Sequence, residues 1–343
     1  MLNQNLKLNT KIFNQNPEGK STSYGAGIEK VSTRQGFGEG LLKAGGDDEN
    51  IVVLCADLTE STKANMFAEK FPERFIQVGV AEQNLASVAS GMATMGKIPF
   101  IASYAIFNPG RNWEQIRTTI CYNNQPVKII GSHSGLSVGP DGGSHQALED
   151  IAITRVIPNI VVISPCDAIE AKKATMACAK TKDPTYIRLA RNNTPIITTE
   201  ETPFEIGKAQ IVFVPENGLA QVGIIATGPI LYKAIMAGHE LEKKGIKVKV
   251  MNLSTIKPLD TNAVIALAKE TKNIVAVEDH QIAGGMGSAV AECLSEFYPT
   301  KIEFVGIKNQ FGQSGTPDEL EKYYEIDTSN IIEKVQKVLK RKI

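Results

Sequence analysis

Residues 74–96 read RFIQVGVAEQNLASVASGMATMG. The stretch opens as an apolar strand, Phe75 to Val80, and runs directly into a helical pattern rich in Ala and Ser. One carboxylate, Glu82, stands at the turn between them. Two readings of that acid are open. A helix start favours negative charge, because its dipole and unpaired amides stabilise an anion. Alternatively, the acid handles a proton for a bound cofactor.

The strand-then-helix unit recurs on both sides of this junction. NIVVLCADL is a buried-strand pattern followed by helix-like KANMFAEKF; PVKIIGS and DPTYIRLAR are further strands, the latter after the helical AIEAKKATMACAKT. Apolar runs bounded by turns and separated by helices predict parallel strands joined by crossovers. Residues 192–210, NNTPIITTEETPFEIGKAQ, are rich in Thr, Pro and Asn and read as a linker. Beyond it QVGIIATG, KVKVMNL and NIVAVEDH alternate with the helical ILYKAIMAGHELEKKG, NAVIALAKETK and SAVAECLSEF. The expected fold is α/β: two open, largely parallel sheet domains in series. The boundaries are 25–195 for the first, 196–206 for the linker and 207–343 for the second. Residues 1–24, rich in Asn and Lys, read as a polar extension without a secretory core.

Composition narrows the function classes. The 343 residues include 37 basic and 37 acidic side chains and are 42% hydrophobic. A net charge of zero gives no electrostatic footprint for nucleic acid or an anionic membrane. No run approaches the roughly 20 apolar residues of a membrane span. The five scattered cysteines include no CxxC pair, which argues against a disulfide framework or zinc site and points to a reducing cytoplasm.

Three segments are candidates for chemistry. In NIVAVEDHQIAGGMGSAVAECL the glycines 284, 285 and 287 miss the G-x-G-x-x-G spacing, so a nicotinamide cofactor is a weak reading. The loop GSHSGLSVGPDGGSHQALED places His133, Asp141 and His145 after a strand and before a helix, where open parallel sheets bind ligands. Those groups suit hydroxyl binding or proton transfer, and a metal site calls for more ligands than these three. In ASYAIFNPGRNWEQIR, Tyr104, Phe107 and Trp113 offer rings for stacking a flat heterocycle or for ordinary core packing.

In order and spacing, DLTEST, RFIQVGVAEQN, SYAIFNPGRNWEQIR, SHSGLSVGPDGGSHQALED and YIRLARNN together closely resemble the C-terminal half of transketolase. The resemblance runs from about residue 28 to the C-terminus, with VEDHQIAGGMGSAV and FGQSGTPDELEKYYEID echoing the family's last domain. It implies a pyrimidine-binding domain at 25–195 and the transketolase C-terminal domain at 207–343. It also implies thiamine diphosphate as cofactor. Glu82 matches the acid on the aminopyrimidine ring nitrogen, and Phe107 the stacked aromatic, with Tyr104 beside it and Asp57 in DLTEST on the cofactor side. A carboxyl that shares a proton calls for burial in apolar surroundings. His133, Asp141 and His145 match the loop that binds donor hydroxyls and the reacting centre. Arg34, Ser61 and Arg191 match the sugar-phosphate ligands, for which arginine forks are suited. Arg111 and Arg188 lie close by without an assigned role.

The family's diphosphate-binding domain, with its GDG motif and Asn pair, has no counterpart in this sequence, and too few residues precede Arg34 to hold it. The expectation is therefore a split enzyme. A separate N-terminal-section subunit holds the diphosphate and Mg2+, and the two chains form a two-plus-two heterotetramer in the cytoplasm. The implied reaction moves a two-carbon ketol unit from a ketose phosphate, such as xylulose 5-phosphate, to an aldose phosphate, such as ribose 5-phosphate. Rivals are a transketolase-like enzyme for another sugar phosphate, a 2-oxo acid dehydrogenase β subunit, a deoxyxylulose-phosphate-synthase-like subunit and a non-catalytic scaffold.

Overall fold

A computed structural model describes residues 1–14 and 27–341. Its strands are β1 (Lys30–Val31), β2 (Ile51–Cys55), β3 (Phe75–Gln77), β4 (Ile98–Tyr104), β5 (Lys128–Ser132), β6 (Val161–Ile163) and β7 (Thr185–Arg188). They continue as β8 (Thr194–Pro195), β9 (Gln210–Phe213), β10 (Val222–Ala226), β11 (Val248–Asn252), β12 (Thr255–Lys257), β13 (Asn273–Gln281) and β14 (Lys301–Ile307). Seven strands form one sheet in the order β12-β6-β7-β5-β4-β2-β3, and five form a second in the order β14-β13-β10-β11-β9. Pairing is parallel except at one edge of each sheet, where β12 and β9 run antiparallel to their neighbours. The expected α/β architecture of two largely parallel sheets is therefore what the chain adopts.

The interior strands show why. Every residue of β2 (IVVLC), β5 (KIIGS) and β10 (VGIIA) is buried, as strands covered on both faces by helices must be. On the first sheet, helices Thr33–Asp47 and Ala168–Ala179 pack together closely. Gly36 permits that approach, since a Cβ there would stand 1.8 Å from the Ala168 carbonyl oxygen. The contact fixes the first turn of helix Thr33–Asp47, and with it Arg34.

The two halves are more interlocked than a series of domains requires. Strand β12, from the C-terminal half, extends the first sheet by pairing with β6. Residues 192–210 are not a slack tether: Asp167 accepts hydrogen bonds from the Ile197 and Thr198 amides at 2.8 and 2.6 Å. The part of residues 1–24 that is described also docks. Leu2 bridges to Phe213, while Leu8 and Ile12 are buried in the core of the C-terminal half. Asn3 and Asn9 add side-chain hydrogen bonds to the Ile211 and Ile196 carbonyls.

A buried polar clamp completes the junction. Arg188 on β7 pairs with Asp150 at 2.8 Å and donates to the Asp279 carbonyl of β13 at 2.8 Å. Tyr186 donates to the same Asp150 carboxylate at 2.7 Å. Burial works against the Arg188 charge, but Asp150 and Asp279 outweigh it and hold the guanidinium above its ordinary pKa. No described helix is long and apolar enough to cross a membrane.

Candidate active site

Parallel strands end on one edge of the sheet, and the loops beyond those ends share one crevice. Across neighbouring β7, β5, β4, β2 and β3, the segments that follow carry Arg191, His133, Phe107, Asp57 and Glu82 respectively. Tyr104 is the last residue of β4. Residues far apart in sequence are thereby placed side by side.

Glu82 is the first residue of helix Glu82–Thr94 and is 1% exposed. Its carboxylate accepts from Arg111 Nη1 at 2.6 Å. Its backbone carbonyl accepts from Asn112, whose side-chain amide also donates to Asn108. Asn108 in turn donates to the Ile101 and Ile130 carbonyls of β4 and β5. The acid is thus held from behind by an amide chain rooted in the sheet. The Arg111 guanidinium also lies over the Phe107 ring, 4.5 Å from its centroid.

The rings form one cluster. Tyr104 runs nearly parallel to Phe107, with centroids 6.2 Å apart, and stacks on His133 at 3.8 Å. His145 meets Phe107 edge-on at 5.7 Å. Each histidine follows a serine whose hydroxyl lies 2.9 Å from its Nδ1: Ser132 for His133 and Ser144 for His145. His133 sits in left-handed backbone at φ 56° and is 2% exposed. Burial, then the charges of Arg34 and Arg191, then His145, push its pKa down to about 3, so the imidazole is neutral at physiological pH. The loop after it is pinned by Asp279, whose carboxylate accepts from the Leu136 amide at 3.1 Å.

Arg34 donates to the Ser61 carbonyl at 2.7 Å, so the contact with Ser61 is through its backbone rather than its hydroxyl. Its buried Nε has no hydrogen-bond partner. Burial lowers the Arg34 pKa, and the nearby Arg191 charge lowers it further. Two guanidiniums whose charges act on each other, one with an unused donor, have the chemistry to hold an anion. Arg191 lies 3.4 Å from Asp141, so these two predicted substrate ligands begin as partners of each other. Asp57 is exposed in left-handed backbone at φ 61°, its amide bonded to Gln77.

Of the residues singled out from sequence, Glu82 and Phe107 meet through Arg111, while Tyr104, His133, His145, Arg34 and Arg191 gather beside them. Trp113 does not join the rings: its indole donates to the Ile153 carbonyl, and it packs against the core. Arg188 belongs to the clamp. Sequence reasoning left Arg111 without a role, and the spacing of FNPGRNW gives no sign that its guanidinium reaches an acid 29 residues away. The amides Asn108 and Asn112 were not singled out from the sequence. No cluster of three or more His, Cys, Asp or Glu suited to a metal occurs among the described residues.

Comparison with known proteins bears on the family and the fold. Residues 29–196 match the transketolase pyrimidine-binding domain, and residues 216–331 match the transketolase C-terminal domain. A Methanocaldococcus jannaschii protein named for a transketolase C-terminal section is 45% identical, over 90% of this chain and 96% of its own. The 6-deoxy-6-sulfo-D-fructose transketolase subunit SqwH of Clostridium sp. (strain MSTE9) is 36% identical, over 92% of this chain and 97% of its own. A solved structure described as a split gene transketolase, inactive beta4 tetramer, superposes with a TM-score of 0.83 at 40% identity. That match covers 90% of this chain and 98% of the other. The chain belongs to the transketolase family and carries the family's pyrimidine-binding and C-terminal domains in series.

Proposed function

We propose that this chain is one subunit of a two-chain transketolase, and that its strand ends receive the pyrimidine half of thiamine diphosphate together with a sugar phosphate. The observation that carries the reading is the slot between Glu82 and Phe107. A buried acid and an aromatic face are both engaged there by one flat, N–H-bearing group, the Arg111 guanidinium. An aminopyrimidine offers the same two features, a polar edge and a stacking face, so the residues present fit it.

Family membership implies the cofactor, which supplies a stabilised carbanion for breaking and making a carbon–carbon bond. The rest falls to this chain. Glu82, fixed by Asn112, holds or shares a proton at the ring edge. Phe107 would pack on the ring face with Tyr104 beside it, and Asp57 would face the cofactor from the neighbouring strand end. His133 and His145 have Nδ1 engaged by serine hydroxyls, which leaves Nε2 of each for substrate hydroxyls, with Asp141 as a further acceptor. A neutral His133 acts as a hydrogen-bond partner without adding charge. Arg34 and Arg191 bind the phosphate, and Ser61 sits at the same end. Asp141 engages one Nη of Arg191, which leaves the rest of the guanidinium for the anion.

A separate N-terminal-section subunit would hold the diphosphate and Mg2+, assembling as a two-plus-two heterotetramer in the cytoplasm. Support comes from relatives that share this chain's extent and are named as a section or a subunit. The donor is read as xylulose 5-phosphate and the acceptor as ribose 5-phosphate. A second reading, a sulfonated ketose as donor, has support in the name of the Clostridium relative, since a sulfonate is also an anion with three acceptor oxygens for arginine.

The test is a ketol-transfer assay with both donors, thiamine diphosphate and Mg2+. It is run on this chain alone and then mixed with its N-terminal-section partner. Transfer from xylulose 5-phosphate in the mixture alone is the expected result. Transfer only from the sulfonated ketose would replace the donor, and no transfer from either in a verified complex would sink the reading. Glu82→Gln in the same mixture is expected to lose about 10²- to 10⁴-fold in rate, the usual scale for proton handling.

A further inference from the structure

The pair formed by Glu82 and Arg111 is unequal. Glu82 is 1% exposed, stands at a helix start and has its carbonyl tied to the amide chain behind it. Arg111 is 48% exposed, and among the described residues its guanidinium donates to Glu82 alone. Its Cζ lies over the Phe107 ring, 4.5 Å from the centroid. If one of the two has to move, it is Arg111, whose long side chain regains water simply by swinging outward.

We propose that Arg111 is an internal stand-in for the cofactor ring: it occupies Glu82 and the face of Phe107 until the aminopyrimidine displaces it. This rests on the reading that those two residues receive the ring. A guanidinium is planar, presents N–H groups along an edge and stacks on aromatic faces. Those are the features that suit an aminopyrimidine to the same slot. A ring laid on the Phe107 face that Arg111 covers needs the same van der Waals space, and a donor at Glu82 Oε2 replaces the one Arg111 supplies, so the two compete. The arrangement gives Glu82 a counter-charge while the slot waits, and because Arg111 is half-exposed its departure lets water reach the acid it uncovers. It also makes cofactor binding a competition: the apparent affinity falls by the fraction of time the slot is filled.

The experiment is a calorimetric titration of thiamine diphosphate, at saturating Mg2+, into the complex of this chain with the N-terminal-section subunit. Wild type is compared with Arg111→Ala, Arg111→Gln and Glu82→Gln, and thermal unfolding confirms that each complex is folded. Displacement predicts that both Arg111 variants bind about three- to tenfold more tightly than wild type, because the competitor is gone. Glu82→Gln should bind more weakly. Arg111→Gln decides the matter if Arg111→Ala proves unstable. Arg111 variants that bind as wild type or more weakly would overturn the proposal, since Arg111 would then be idle or a direct cofactor contact. Wild type that fails to bind, or Glu82→Gln that binds as wild type, would instead remove the reading of Glu82 on which the proposal stands.

Discussion

Two arginine–carboxylate pairs in this molecule have nearly the same length and opposite characters. Arg188 and Asp150 meet at 2.8 Å where the halves join, and Arg111 and Glu82 meet at 2.6 Å where the strands end. Arg188 is 5% exposed and is further held by the Asp279 carbonyl, while Tyr186 completes Asp150. Arg111 is 48% exposed and rests on one acid and one ring. What separates a structural clamp from a yielding contact is the number of additional partners and the access of water, not the pair itself. The buried pair cannot open without leaving an uncompensated charge. The half-exposed one opens at little cost, because solvent takes over.

Truncation is the sharpest way to break that comparison. Arg188→Ala should cost about 3–5 kcal/mol of stability, as removal of one member of a buried ion pair does. Arg111→Ala should cost about 1 kcal/mol or less, the scale of a pair open to water. Urea unfolding of both variants measures the difference; equal losses would mean that Arg111 is as structural as Arg188. An effect smaller than that of Arg188→Ala is expected at the proposed anion site. Arg191→Ala should raise the KM for the phosphorylated donor about tenfold or more, the worth of one charge-assisted hydrogen bond, with kcat little changed. Steady-state kinetics with varied donor resolves the two parameters, and a fall in kcat at constant KM would assign Arg191 to the reacting centre instead.

The comparison also shows what the sequence makes legible. The buried runs IVVLC and VGIIA report their parallel sheets directly, because a strand covered on both faces has no polar position to alternate with. Glu82 is legible because a lone acid between a strand and a helix is a local feature. The partners of these residues are not local. Arg111 reaches Glu82 only because β4 and β3 end on the same edge of one sheet, and Arg188 finds Asp279 across 91 positions. Strand β12 hides for a different reason: three residues paired antiparallel at an edge carry too little pattern to read. Residues 1–14 read as polar because their apolar residues are diluted by Asn and Lys, although Leu8 and Ile12 are buried in the core of the C-terminal half and Leu2, Leu6 and Phe13 pack against it.

The most direct test of the account is where thiamine diphosphate binds. Calorimetric titration with Mg2+ present is made on this chain alone, on the N-terminal-section subunit alone and on their equimolar mixture. The account predicts tight, saturable binding in the mixture and none of comparable affinity in this chain alone, since Glu82 and Phe107 address only the pyrimidine end. Equally tight binding to this chain by itself would contradict it, because the diphosphate and metal would then have ligands within this polypeptide.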